Sequence, residues 1–300
     1  MIRTEKLCKT LDGNVVLKDL NLSVKRGSIY GLIGSNGAGK STLLNILSGI
    51  YKADSGEAEI YGKDIYENTK IKGKTAYITD DPFYFTGYTV DETARYLDNI
   101  YESFSMEKYR SVAEIFPIDT SKKISTFSKG MKRQVSIILA IAQCPEILLC
   151  DESFDGLDPV IRQMVKRLLV SEVAQNGMTV VISSHNLREM ENLCDTIGVL
   201  HDHKIILEKS VSDIKDTIHR FQAAYKPMID IASLEAELDI VSKSLRGNIL
   251  ELVARGDADK IEAVLEKYNP LLVDKTELTL EDIFICEMEV SGYDFSKILL

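Results

Sequence analysis

Residues 34–42 have the types and spacing of a loop that wraps around phosphate groups. Glycines let the backbone fold so that several N–H groups converge on phosphate oxygens, and a helix beginning there adds the positive end of its dipole. Lys40 would reach the β- and γ-phosphates, and the Ser41 hydroxyl would bind Mg²⁺. The loop predicts a nucleoside triphosphate site made of Gly34, Ser35, Asn36, Gly37, Ala38, Gly39, Lys40, Ser41 and Thr42.

Two adjacent acids, Asp151 and Glu152, follow the apolar run 147–150. A buried strand at this position would deliver both carboxylates at its exposed carboxyl end. Because successive side chains of a strand point to opposite faces, Asp151 can hold Mg²⁺ through water while Glu152 polarises an attacking water molecule. The pair predicts hydrolysis of the bound nucleotide.

Residues 126–134 read Thr-Phe-Ser-Lys-Gly-Met-Lys-Arg-Gln. The segment resembles the L-S-G-G-Q signature of ATP-binding-cassette (ABC) proteins, with Ser128 and Gly130 at matching positions, and its S-K-G-M form resembles that of exporter-type members. In the family, this segment begins a helix whose amino end faces the γ-phosphate bound by the opposite subunit, where helix N–H groups suit an anion. Taken alone, Ser-Lys-Gly is also an ordinary helix start.

The order of the motifs makes the resemblance specific. A helical block, the signature and the acidic strand follow the phosphate loop, and then come Gly156-Leu157-Asp158, similar to the family's D-loop, and His185, similar to its switch histidine. The resemblance covers residues 1–208 and implies that His185 contacts the γ-phosphate and orients Glu152 and water. His185 follows a predicted strand and should lie at the carboxyl edge of the sheet, where ligands bind in α/β proteins.

Two positions depart from the family pattern. Where the family has Gln or Glu before the helical block, this chain has Asp80, which the resemblance implies as a shorter-reaching ligand of nucleotide and Mg²⁺. Where the family often stacks an aromatic ring on adenine, the chain has Leu11, so we expect base stacking to be weaker or supplied elsewhere. Tyr30 lies in a predicted core strand, and we expect it to pack rather than to bind the base.

The elements that must position these residues alternate along the chain. Apolar residues recur with a period near two in residues 2–24, which predicts antiparallel strands. Short apolar runs separated by helical segments are typical of buried parallel strands. These runs are residues 147–150, 179–183 and 196–200, and residues 28–33 and 77–79 are also predicted to be strands. Helical periodicity predicts helices at 41–47, 90–101, 106–116 and 129–143.

This pattern predicts an α/β fold, a P-loop NTPase core with an antiparallel β edge and a helical subdomain at about residues 82–143. We expect an ABC-type ATP-binding domain over residues 1–208 and a small C-terminal α/β appendage over 209–300. In the appendage, strand-like stretches at 249–253 and 271–273 bracket a helix-like stretch at 258–268. Residues 280–284 and 292–295 resemble the tails of bacterial exporter-type ATPases.

The formal charge of −10 repels phosphate backbones, so we expect no nucleic-acid partner. No basic signal leader opens the sequence, and its apolar runs are far shorter than the roughly 20 residues that cross a bilayer. The five cysteines are widely spaced and fit reduced thiols. We therefore expect a cytoplasmic protein, peripheral on the inner face of the cell membrane through a permease partner.

These features together predict the ATP-binding and hydrolysing subunit of an ABC transporter, an exporter if the signature variant is a guide. The implied ligands are ATP and Mg²⁺, and the implied partners are integral-membrane permease subunits and a second ATPase subunit, identical or related. An ABC-type ATPase acting on the ribosome or DNA is an alternative, although such proteins carry two cassettes or a long inserted coiled coil. A phosphate-loop metabolite kinase is another, but it should lack the signature and His185.

Overall fold

The computed structural model of the chain describes residues 1–227 and 229–284, and for residues 214–216 it describes the backbone only. The chain divides into two compact units, Met1–Glu208 and a second unit that begins at Lys209. Residues 292–295, which resemble an exporter tail, lie outside the described residues. Among the described residues, no helix has both the length and the apolar character needed to cross a membrane.

The first unit alternates strands and helices along most of its length. Its strands are β1 (Ile2–Leu11), β2 (Asn14–Val24), β3 (Ile29–Ile33), β4 (Ser55–Ile60), β5 (Lys63–Asp64), β6 (Thr75–Ile78), β7 (Ile147–Asp151), β8 (Thr179–Ser184), β9 (Thr196–His201) and β10 (Lys204–Ser210). Its helices are α1 (Lys40–Leu47), α2 (Thr69–Lys72), α3 (Val90–Asp98), α4 (Met106–Ala113), α5 (Lys129–Ala142), α6 (Pro159–Asn176) and α7 (Leu187–Met190).

These strands form two sheets. A four-stranded sheet has the order β2-β1-β4-β5, with antiparallel neighbours. A six-stranded sheet has the order β10-β9-β3-β8-β7-β6, in which the pairs from β9 to β6 are parallel. All residues of β3, β7 and β8 are buried, as expected for apolar strands inside a parallel sheet. The predicted α/β core with an antiparallel edge is confirmed.

One hydrophobic core joins both sheets to α1. Leu7 and Leu20 of the antiparallel sheet, Leu43 and Leu47 of α1, and Leu149 of β7 all belong to it, and each is fully buried. A helix packed on two sheets at once cannot rotate or slide without opening cavities, which are destabilising in a close-packed core. The amino end of α1, where the phosphate loop ends, is thereby fixed relative to β7.

The helical block between β6 and β7 contains α3, α4 and α5, each begun by a capping side chain. Thr89 and Glu92 form a capping box on α3, Ser105 caps α4, and Ser128 caps α5. The helices end one to three residues earlier than the periodicity predicts, at Asp98, Ala113 and Ala142. Apolar spacing continues into the turns after a helix, because residues there still face the core, so periodicity overestimates helix length.

The second unit has a topology that the sequence reading missed in part. Its elements are α8 (Val211–Thr217), β11 (Ile218–Ala224), α9 (Ile231–Glu235), β12 (Asp239–Arg246), β13 (Ile249–Arg255), α10 (Ala258–Glu266) and β14 (Leu272–Thr276), followed by a short helix at 280–284. The sheet order is β12-β13-β11-β14, and all neighbours are antiparallel. From β11 to β14 this is the β-α-β-β-α-β arrangement of the ferredoxin-like fold.

Candidate active site

The phosphate loop is shaped by close backbone approaches that exclude side chains at two glycines. A Cβ on Gly34 would lie 2.6 Å from the Leu200 carbonyl oxygen, and a Cβ on Gly39 would lie 2.8 Å from that of Val16. Gly39 also has a φ of +109°, which L-residues rarely adopt, and it stands directly before α1. The loop therefore packs closely against both β9 and β2 and leads directly into α1.

Lys40 is held inside this loop. Its side chain is 5% exposed, and its ammonium donates hydrogen bonds to the carbonyl oxygens of Gly34 at 2.6 Å and Ser35 at 3.1 Å. The same ammonium lies 3.2 Å from Glu152 Oε1. A buried ammonium needs anionic or carbonyl partners, and here the carboxylate stands in for the anionic oxygen that a phosphate supplies. The loop and its lysine fit a bound polyphosphate.

The two acids after β7 differ in their surroundings. Asp151 ends the strand, is buried, and accepts a hydrogen bond from the Ser183 hydroxyl at 2.6 Å. Glu152 lies beyond the strand with a φ of +46°, a left-handed conformation that is unfavourable for a residue other than glycine. Its N–H donates to Ser183 Oγ at 3.1 Å. We predicted Glu152 from strand alternation, but a sharp backbone turn places it.

His185 completes a chain of contacts around Glu152. It follows β8 at the carboxyl edge of the sheet, and its Nδ1 lies 2.9 Å from Glu152 Oε2. One carboxylate thus faces the loop lysine with one oxygen and an imidazole with the other. Asp155 also approaches, since single ligand atoms of Glu152, Asp155 and His185 lie within 4.8 Å of one another. The arrangement can orient a water molecule and accept its proton.

Ser128 and Gly130 lie at the start of α5, as the motif reading expects. Ser128 Oγ accepts a hydrogen bond from the Met131 N–H at 3.3 Å, so the serine does cap the helix. A Cβ on Gly130 would lie 2.6 Å from the carbonyl oxygen of Gly156, so only glycine allows this contact with the D-loop segment. An ordinary cap explains Ser128 but gives no reason for the close approach at Gly130.

Asp80 does not stand free at the end of β6. Its carboxylate accepts a hydrogen bond from Arg133 Nη2 at 2.7 Å, and Lys129 Nζ lies 3.8 Å away. The carboxyl group is half-exposed, with 53% of the side chain accessible. Its proposed role as a ligand of nucleotide and Mg²⁺ stays a prediction.

The aromatic residue nearest to the loop is not a platform for a base. Tyr30 is 1% exposed and lies in the core of β3, and burial raises its pKa well above the usual value. Its hydroxyl occupies the space beside Gly198, where a Cβ would lie only 2.0 Å from that oxygen. Tyr30 packs, as we expected, and Leu11 remains the residue at the family's stacking position.

Sequence reasoning missed two residues at this site. Ser183 bridges Asp151 and the Glu152 N–H, and Asp155 approaches His185 from the turn after β7. The signal for Ser183 was a hydroxyl at the carboxyl end of a strand with an apolar centre, next to the strand that carries the acids. The signal for Asp155 was an acid three residues after Glu152, within the same turn.

The site combines a glycine loop and its buried lysine with a glutamate that contacts both this lysine and a histidine, at the edge of a parallel sheet. These features define the class of phosphate-loop ATPases. Within this class, residues 17–155 match the family model described as ABC transporter. The chain is 32% identical to the ABC transporter ATP-binding protein YtrB of Bacillus subtilis (strain 168) over 288 residues, 96% of this chain and 98% of that protein. The chain therefore belongs to the ATP-binding proteins of ABC transporters.

Other relatives and solved structures agree. The chain is 34% identical to the bacitracin transport ATP-binding protein BcrA of Bacillus licheniformis, covering 72% of this chain and 71% of that protein. An ATP-binding subunit of an ABC transporter matches with a TM-score of 0.66 and 28% identity, covering 72% of this chain and 92% of that chain. A dimeric ATP-binding cassette in a post-hydrolysis state, bound to ADP and Pi, matches with a TM-score of 0.64 and 25% identity. The match covers 70% of this chain and 99% of that chain.

The predicted family and P-loop fold are confirmed by these comparisons, and the chain is an ATP-binding and ATP-hydrolysing subunit of an ABC transporter. The roles of its individual residues remain proposals.

Proposed function

We propose that two ATPase subunits, identical or related, pair head to tail, each binding ATP between its own phosphate loop and the partner's Ser128–Gly130 segment. ATP-driven closure and hydrolysis then power export through membrane-embedded permease subunits. The observation that carries the proposal is the contact of Glu152 with both Lys40 and His185. The dimeric state of the related cassette bound to ADP and Pi supports the pairing.

Mg²⁺ would be held by Ser41 and Asp151. A hydroxyl in the first turn of α1 and a buried carboxylate at the end of β7 are oxygen donors of the kind that Mg²⁺ prefers, and both flank the loop. The bound ion would neutralise the negative charge that moves among the phosphate oxygens during hydrolysis. Asp80 remains a predicted third ligand.

The residues of the chain have distinct tasks in hydrolysis. Lys40 leaves Glu152 when phosphate oxygens replace the carboxylate, so nucleotide binding frees the base at the moment it is needed. Glu152 then accepts a proton from the attacking water, and His185 holds the carboxylate oxygen and the water in line. Contacts made only with the triphosphate hold the dimer closed, and their loss after hydrolysis opens it.

The permease partner is proposed to bind a groove between the helical block and β6, lined by both apolar and polar side chains. The groove has a volume of about 460 Å³ and runs past Tyr77, Pro82, Tyr84 and Leu139. At its rim stands Phe83, which is 83% exposed and lies edge-on to Phe85, followed by Tyr88 and Tyr96. Clustered exposed aromatic rings mark protein-binding surfaces. A cytoplasmic segment of the permease bound here would keep the ATPase at the inner face of the membrane.

Export is proposed on the signature variant, and relatives named for bacitracin and lantibiotic transport support a role in transport. The cargo would be selected by the permease subunits, which form the path through the bilayer.

The decisive experiment is Glu152→Gln in the full chain. The amide keeps the shape of the side chain but cannot accept the proton, so we expect ATP binding to persist, turnover to fall by at least about 100-fold, and a dimer to accumulate with ATP and Mg²⁺. Turnover and mass by light scattering are the measurements.

Glu146→Gln is the matched control, because Glu146 precedes the other end of β7 and pairs with Lys74, away from the loop. It should hydrolyse ATP at close to the wild-type rate. Rapid hydrolysis by Glu152→Gln, or a monomer at saturating ATP and high protein concentration, would overturn the proposal.

A further inference from the structure

Helix α5 carries a buried arginine that the nucleotide site does not explain. The Arg133 side chain is 1% exposed, although arginine is almost never buried without a partner. Its Nη1 donates to the Thr79 carbonyl oxygen at 2.8 Å, and its Nη2 donates to Asp80 Oδ1 at 2.7 Å. The guanidinium is therefore held by the loop that follows β6.

The Asp80 carboxylate supplies the charge that compensates this burial. Arg133 Nε is buried without a hydrogen-bond partner among the described residues, so the guanidinium is only partly satisfied. The other cation near Asp80, Lys129, is 71% exposed and 3.8 Å away, too far for a hydrogen bond. Loss of the Asp80 charge would leave a buried cation with one carbonyl partner, which is strongly destabilising for its present position.

A second tie joins the same loop to α5. The Tyr84 hydroxyl donates to the Lys132 carbonyl oxygen at 2.8 Å and also hydrogen-bonds Ser136 Oγ. Arg133 and Ser136 are about one turn apart on the helix, so the loop holds α5 at two levels. These contacts fasten the loop to the first half of α5.

The loop also begins beside the catalytic strand. Ile78 of β6 pairs with Cys150 of β7, one residue before Asp151. Asp80 and Arg133 thus lie between the end of β6 and helix α5, whose amino-terminal cap is Ser128.

We propose that Asp80 is a positioning residue, which acts through Arg133 to fix the direction of α5 and hence the placement of Ser128 and Gly130 on the partner's ATP. The inference rests on the proposed function. It gives Asp80 a role distinct from metal binding, because the oxygen that carries it is Oδ1, which Arg133 holds.

The test uses Asp80→Asn and Asp80→Glu in the full chain, because residue 80 is half-exposed and both replacements keep a polar side chain there. Three quantities are measured: kcat, the Mg²⁺ concentration for half-maximal activity, and the ATP-dependent dimer affinity in the Glu152→Gln background. We expect Asp80→Asn to lower kcat and dimer affinity by about 10-fold while the Mg²⁺ requirement changes less than about 2-fold. Asp80→Glu, which keeps the charge, should retain at least about half of kcat.

Arg133→Gln and its combination with Asp80→Asn complete a double-mutant cycle. If Asp80 acts through Arg133, the double variant should be no worse than the single ones. Lys122→Gln is the control, since it removes an exposed ion pair with Asp119 in the same helical block and should change none of the three quantities. If Arg133→Gln does not fold, the Asp80 variants decide alone.

A rise of 10-fold or more in the Mg²⁺ requirement of Asp80→Asn, with dimer affinity unchanged, would assign Asp80 to the metal and overturn the inference. Wild-type behaviour of Asp80→Asn, or additive effects in the cycle, would also overturn it. Failure of Glu152→Gln to dimerise with ATP counts against the proposed function instead, and the kcat and Mg²⁺ arms still test Asp80.

Discussion

The Tyr30 hydroxyl is a polar atom buried without a partner among the described residues. Desolvation of such a group is unfavourable because nothing replaces its hydrogen bonds to water. We expect Tyr30→Phe to raise the free energy of unfolding by about 1 kcal/mol, or to leave it unchanged, and to alter the Kd for ATP less than about 2-fold. Urea unfolding and nucleotide titration measure both.

The same substitution has a pH signature. Burial, and secondarily Glu208, raise the pKa of Tyr30 above that of an unfolded tyrosine, near 10. As the pH rises towards and past 10, only the unfolded state ionises at this residue, so the free energy of unfolding of the wild type falls. The advantage of Tyr30→Phe should widen between pH 9 and 10.5.

The control for Tyr30 is Tyr225→Phe. The Tyr225 hydroxyl is also buried but donates to the Leu265 carbonyl oxygen at 3.1 Å, so its loss should lower stability by about 1 kcal/mol. A 10-fold weaker ATP affinity in Tyr30→Phe would contradict the packing role.

At the scale of elements, substitutions at the start of α6 can distinguish a structural role of Asp158 from a functional one. Asp158, in the D-loop segment, accepts hydrogen bonds from the N–H groups of Val160 and Ile161, both at 3.0 Å, and Pro159 occupies the first helical turn. We expect Asp158→Ala to lower the free energy of unfolding by about 1 kcal/mol, while Asp158→Asn, which still caps, stays close to wild type. Thermal unfolding measures the difference.

Activity of Asp158→Asn adds a second readout. If Asp158 only caps the helix, its kcat should match that of wild type. A large loss of kcat at wild-type stability would show that the carboxylate acts in the dimer as well.

The elements that carry the site were largely predictable because they depend on local periodicity, whereas β4, β10, β11 and α6 were not predicted. β12 was missed because its residues Ser242, Lys243 and Ser244 are polar, and a strand at the sheet edge needs little burial. Glu152 was found by its spacing, but its left-handed backbone was not, since the turn is imposed by contacts from β8. The Asp80–Arg133 pair could not be predicted, because the partners lie 53 residues apart and meet only in the folded helical block.

At the scale of the whole molecule, the two compact units predict two unfolding steps. Only the first unit holds the phosphate loop, so ATP with Mg²⁺ should stabilise one step alone. At 100 times the Kd, the shift is about 2.7 kcal/mol. Calorimetry of Glu152→Gln, which should not hydrolyse the bound ATP, measures the shift of each unfolding step. A single cooperative transition, or an ATP-dependent shift of both steps, would contradict the prediction.

The contact between Gly130 and Gly156 has a consequence for the timing of the two ATP hydrolysis events in the proposed pair. In the proposed pair, Gly130 belongs to the pocket of one ATP, whereas Gly156 lies four residues after Glu152, which activates the water that attacks the other ATP. Because the Gly130 backbone packs so closely on the Gly156 carbonyl that no side chain fits between them, we expect a displacement at one pocket to shift the other. The two nucleotides would then be consumed in alternation or in concert, but not as unrelated events.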